Sequence, residues 1–205
     1  SGTVTPSSRP FILYTGTDLT GTATGDPEVR SYCALPDTEA SRYRLNRDDH
    51  NQIFRFTFTA NGTTGPAYCL DKFKDGPYGD VPYQSQTFET LFPDATERQK
   101  QMLAWILANA YPTVSASQTF NLVGVDDTAA PPLDNNDAYA AVQVAIWVLL
   151  GQISPSEAVF LNCSDGAAHP KSDRLNQTVL RLIEMAGNFA DTAAQPTYSY
   201  PPGTG

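Results

Sequence analysis

Three cysteines, Cys33, Cys69 and Cys163, are the strongest side-chain nucleophiles in the chain, and their odd number leaves one sulfur over after any pairing. No CxxC or HxxxH spacing is present, and His50 and His169 have no ligand-type neighbours close in sequence, so no metal site is expected. GxGxxG, P-loop and GxSxG patterns are absent too, and no cofactor is expected. The other residue that stands out is Gln143, the single polar position in the run Ala141 to Leu150. A helix apolar nearly all round is buried in its domain. An amide buried there without partners costs on the order of 1–3 kcal/mol. Gln143 is therefore either a hydrogen-bonded core glutamine or one that has lost its amide. A cysteine thiolate and a glutamine acyl carbon are a nucleophile and its electrophile.

These residues sit on elements of different kinds. The first ninety residues read as strands and turns, with short runs at 9–15 and 28–35. In Ile53 to Thr59, alternation puts Phe54, Phe56 and Phe58 on one face. After the Asn61-Gly62 turn, Pro66 to Lys72 is extended, with Tyr68 and Leu70 sharing a face opposite Cys69. Thr96-Glu97-Arg98-Gln99 is a capping box opening a helix with Met102, Leu103, Ile106, Leu107 and Ala110 on its apolar side, stopped by Pro112. Ser117 to Val123 is strand-like. A second helix, capped by Asn136 or Asp137 and stopped at Gly151, carries Tyr139, Gln143, Ile146, Trp147 and Leu150. A third, from about Asp173 to Phe189, buries Leu175, Val179, Leu182, Ile183 and Ala186. The order predicts an α+β fold: a β-rich, sandwich- or barrel-like part with a helical sub-domain.

The 205 residues fit a single domain, expected over 1–194, with the Pro/Gly-rich 195–205 as a linker toward a following domain. A net charge of −9 excludes the basic footprint of a nucleic-acid binder. No apolar run reaches the roughly 18 residues of a membrane span. Abundant Thr, Ser, Asn, Asp and Tyr, with little Lys, resembles secreted bacterial surface modules.

Specific motifs sharpen this. Tyr68-Cys69-Leu70 resembles the aromatic-Cys-apolar motif of thioester domains (TED) in Gram-positive bacterial surface adhesins, and Val142 to Trp147 resembles their apolar-Gln-x-x-apolar-Trp motif. The intervening helix and its Tyr111-Pro112 exit are similar as well, so the likeness covers about Ile53 to Gln152. Val142 departs from the Thr many members carry before the glutamine. The resemblance implies an internal thioester between Cys69 and Gln143, formed with loss of ammonia. It would be attacked by a nucleophile, a Lys amine above all, on a host cell-surface or extracellular-matrix protein. Tyr68 and Trp147 would shield the bond, and Tyr139 or His169 would accept the amine's proton. It implies a single-turnover binder rather than an enzyme, a monomeric module of a longer, secreted and cell-wall-anchored virulence protein. In that oxidising exterior Cys33 and Cys163 would pair as a disulfide.

Two other classes stand beside this reading. One is a Cys-nucleophile acyl-transferase or peptidase using Cys69 with His50 or His169. It lacks the helix N-terminus that lowers a catalytic thiol's pKa. The other is a non-covalent glycan- or protein-binding module using Tyr-rich loops, such as Tyr78 and Tyr83 among Gly76, Pro77, Gly79 and Pro82.

Overall fold

A computed structural model of the chain describes residues 2–4, 12–13, 20–25, 43–45, 53, 55–72, 74, 80–162 and 165–194. Cys33, His50, Phe54, Gly76, Pro77, Tyr78, Gly79, Cys163 and the 195–205 linker lie outside these residues, and with them the expected disulfide and the 28–35 strand.

Six strands close into an antiparallel barrel: β1 (Gly2–Val4), β2 (Ile12–Leu13), β3 (Thr20–Gly25), β5 (Phe56–Ala60), β6 (Thr63–Cys69) and β7 (Asp80–Gln86), in the order β1-β2-β6-β5-β3-β7 with β7 back against β1. Each of these six strands is thereby paired with a neighbour on either side. Phe58 points inward and meets Tyr83 edge-to-face at 6.4 Å. The backbone of β3 passes so close to it that a Cβ at Gly21 would lie 2.5 Å from the Phe58 ring, so only glycine fits there. The Asn61-Gly62 turn joins β5 to β6 with both residues at positive φ, 50° and 75°. β6 then runs from solvent into the core, exposed at Thr63 and buried from Ala67 to Cys69. A separate two-stranded pair joins β4 (Tyr43–Leu45) to β8 (Phe160–Asn162).

The helical part contains α1 (Phe88–Leu91), α2 (Glu97–Asn109), α3 (Ala116–Leu122), α4 (Asn135–Leu149) and α5 (Ser172–Ala194). The capping box expected at Thr96 and Gln99 is present. Two expectations need correction. The expected strand Ser117 to Val123 is helix through Leu122 with Val123 as its C-cap: Ser115 and Gln118 close a capping box, and Ala116, Thr119, Phe120 and Val123 form one buried face at three- and four-residue spacing. The cap of α4 is Asp134, ahead of Asn136 and Asp137, because Asp134 and Asp137 each accept the other's backbone N–H.

Every residue of α4 from Asp137 to Trp147 is buried. This helix is the axis of the helical part, packed against α2, α3 and α5. α5 gives it a face of Leu175, Val179, Leu182, Ala186 and Ala190 at spacings of three and four, while Phe189 stays exposed. Lys171, just before α5, reaches Asp137 through a 2.8 Å ion pair with both side chains buried. The start of α4 is thereby pinned to the start of α5.

Candidate functional site

The buried end of β6 meets the middle of α4. Gln143 is fully buried, and its amide faces the Cys69 backbone: the Cys69 N–H donates to Oε1 at 2.8 Å, and Nε2 donates to the Cys69 carbonyl at 2.8 Å. A neighbouring strand would satisfy a strand residue in the same way. The glutamine thus has the partners its burial demands, and they belong to Cys69.

A second glutamine repeats the device just downstream. Gln152, past the Gly151 stop, donates to the Leu70 carbonyl at 2.6 Å and accepts from the Lys72 N–H at 2.7 Å. Sequence reasoning passed over Gln152. Its signal was weak, a polar residue in a loop whose partners lie some eighty residues away. The two amides hold residues 69–72 in place across from α4.

The aromatic residues anticipated from the motifs gather here. Tyr68 and Tyr139 stack with ring centroids 4.9 Å apart. The Tyr139 hydroxyl donates to the Ala67 carbonyl at 2.6 Å, and the Tyr68 hydroxyl to the Tyr111 carbonyl at 2.5 Å. Trp147 lies one helical turn beyond Gln143, 3% exposed, with the Lys72 ammonium 4.6 Å above its ring centroid. Lys72 is itself buried, a second residue that sequence reasoning did not single out. His169 lies near β8 and the start of α5: its Nδ1 accepts the Lys171 backbone N–H, and its backbone N–H donates to the Phe160 carbonyl.

The Cys69 thiol is 6% exposed and turns toward Asp71, donating to that residue's carbonyl at 3.0 Å and accepting its N–H at 3.4 Å. Burial pushes its pKa up from 9.0 to about 12, with the Asp71 carboxylate adding to the rise. The Asp71 N–H, the Trp147 indole and the Lys72 charge act the other way. Sulfur, carbonyl carbon and a carbonyl-polarising N–H therefore share one water-poor site.

The model of the thioester domain family matches residues 66–188, more than half of the chain and the segment that contains this site. The chain belongs to the thioester domain family. Members of this family are covalent binding modules. Among solved structures, the domain is similar to the thioester domain of the Enterococcus faecium TIE86 protein, with 15% identity, a TM-score of 0.44, and coverage of 89% of this chain and 53% of that one. It is similar to the Bacillus anthracis TIE protein as well, with 16% identity, a TM-score of 0.41, and coverage of 89% and 25%. The thioester domain thus spans about half the length of the first and a quarter of the second. No curated protein matches it. Among the described residues no helix is long and apolar enough to cross a membrane, and no cluster of three or more His, Cys, Asp or Glu is placed to hold a metal.

Proposed function

We propose that the domain stores an internal thioester between the Cys69 sulfur and the Gln143 side-chain carbonyl carbon and spends it once, on a lysine amine of a host surface or matrix protein. The carrying observation is the two-way hydrogen bonding between the Gln143 amide and the Cys69 backbone. That contact holds the Cys69 backbone against the Gln143 amide, and a nucleophile and electrophile brought into line on such a rigid frame reach effective concentrations of roughly 10⁵–10⁸ M.

In the forming step the thiolate adds to the Gln143 carbonyl carbon. The Cys69 N–H, already on Oε1, stabilises the developing oxyanion. The C–N bond breaks, and nitrogen leaves as ammonia, its third hydrogen being the proton the thiol gave up. In the second step an amine adds to the same carbon. A new C–N bond forms, the C–S bond breaks, and its electron pair stays on sulfur. The amine's surplus proton passes to a base, for which Tyr139, one turn before Gln143, and His169 are the groups to test. Tyr68 and Trp147 keep water from the bond until a partner docks.

The same burial argues against a turnover enzyme. A thiol raised to about 12 is scarcely ionised near neutrality, which would throttle a catalytic cysteine on every cycle. A self-acylating thiol must ionise only once. The net charge of −9 draws lysine-rich surfaces in and raises the encounter rate in a salt-dependent way. We read the domain as a monomeric module of a longer extracellular, cell-wall-anchored chain.

Intact-mass spectrometry tests this directly. Fresh protein should be lighter by one ammonia, with the deficit abolished in Cys69→Ala and in Gln143→Ala. Methylamine should restore the mass as an adduct on Gln143. Full mass with an alkylatable Cys69 would sink the reading.

A further inference from the structure

Buried indole N–H groups almost always find an acceptor, and a native exception calls for an explanation. The Trp147 Nε1 is buried and makes no hydrogen bond of normal geometry, yet the indole lies near enough to the Cys69 sulfur to act on the thiol as a donor and lower its pKa. It sits one turn beyond Gln143 on the same helix. On the ring face lies the buried Lys72 ammonium, at 4.6 Å from the centroid. A cation over an indole withdraws electron density from it and makes its N–H a stronger donor, and this effect grows when the pair is desolvated.

The sulfur's surroundings say what such a donor would serve. As a thiol, Cys69 spends its proton on the Asp71 carbonyl. Once sulfur carries negative charge that bond is lost and the carbonyl oxygen faces it repulsively. Only donors and cations can then hold it. The Asp71 N–H already points at the sulfur. Both Trp147 and Lys72 pull the thiol's pKa down against its burial, in the direction expected for groups that favour the thiolate.

We propose that the Trp147 N–H, strengthened by the Lys72 ammonium on its ring, is the donor that receives charge on the Cys69 sulfur as the thioester forms and as it breaks. The inference rests on the thioester reading. When an amine adds to the Gln143 carbonyl carbon and the C–S bond breaks, the electron pair left on sulfur meets the indole N–H. The surplus proton of the amine nitrogen passes by way of the base to the sulfur, which completes the exchange of thioester and amine for amide and thiol. Trp147 acts on the reacting atom, and Lys72 is a positioning and polarising residue.

The test separates chemistry from shielding. Wild type, Trp147→Phe, Lys72→Met and Lys72→Arg are each followed by intact mass, first for the ammonia deficit and then for the rate of methylamine addition. Trp147→Phe keeps a ring in the wall but removes the donor. It is expected to carry the deficit and to react about tenfold or more slowly, the worth of a hydrogen bond to a charged atom. Lys72→Met should be slowed several-fold, with Lys72→Arg restoring the rate, a rescue that mere packing would not give. Trp147→Phe reacting as fast as wild type or faster would overturn the proposal and leave Trp147 a shield, with the thioester reading intact. If Trp147→Phe acquires no thioester, the lysine pair decides: equal rates in Met and Arg overturn the proposal. A missing deficit in wild type overturns the thioester reading and this inference with it.

Discussion

One amide plane, the side chain of Gln143, satisfies both polar groups of the Cys69 backbone at 2.8 Å each. A helix residue and a strand residue 74 positions apart are locked together by an uncharged carboxamide that donates and accepts at once.

Removing that amide has a structural cost separate from any chemistry. Gln143→Ala leaves the Cys69 N–H and carbonyl buried without these partners, along with a cavity in α4. We expect a loss of about 2–4 kcal/mol in urea denaturation, measured against Cys69→Ala, which keeps the backbone bonds. Equal stability of the two variants would show that the amide contributes little to the fold.

The tyrosine pair predicts a graded response. Tyr139→Phe keeps the 4.9 Å stack on Tyr68 but loses the buried bond to the Ala67 carbonyl, at a cost of about 1–2 kcal/mol. Tyr68→Ala removes the stack and a wall of the site. Its thioester should hydrolyse faster, read as regained mass over hours in neutral buffer. Unchanged hydrolysis would remove Tyr68 from the shield.

Breaking the Asp137–Lys171 pair should be among the most damaging changes away from the sulfur. Both side chains are at most 2% exposed, so Lys171→Met leaves the buried Asp137 carboxylate without its cation, at a cost of about 3–5 kcal/mol. Asp137→Asn combined with Lys171→Met should recover part of that loss, because no charge is then left alone. Thermal melts of the two singles and the double variant check it.

Alkaline pH tests the state of the sulfur. With Gln143 in place, burial raises the Cys69 thiol's pKa from 9.0 to about 12 in the folded protein; in Gln143→Ala no thioester can form, so Cys69 stays a thiol, and its pKa stays raised as far as the burial persists. The unfolded chain therefore releases the proton first. The folded state's advantage is whole below about pH 9 and fades as pH rises toward 12, by at most ~4 kcal/mol. Stability measured against the Gln143→Ala, Cys69→Ala double variant should diverge over that range. Parallel curves would show that the thiol is not desolvated.

Much of this was legible beforehand because the signals are local. Thr96 and Gln99 announce α2 through a four-residue capping box, and the apolar run around Gln143 announces a buried helix. The same kind of signal at Ser115 and Gln118 was available for α3, but the short segment's β-like composition outweighed it. Asp134 was missed as the cap of α4 because Asp, Asn, Asn and Asp in succession offer four capping residues. Which of them acts depends on where the first turn packs.

The sequence by itself determined the chemistry available: a sulfur in a strand-like run beside an aromatic, and an acyl carbon on an apolar helix that carries a tryptophan one turn on. Residue type and short-range periodicity carry that information. Only the tertiary structure decided which groups surround the sulfur. The Gln152 clamp, the Lys72 ammonium over Trp147 and the turn of the thiol toward Asp71 all depend on where β6 ends against α4. Packing sets that alignment across some seventy to eighty residues, and no local pattern encodes it.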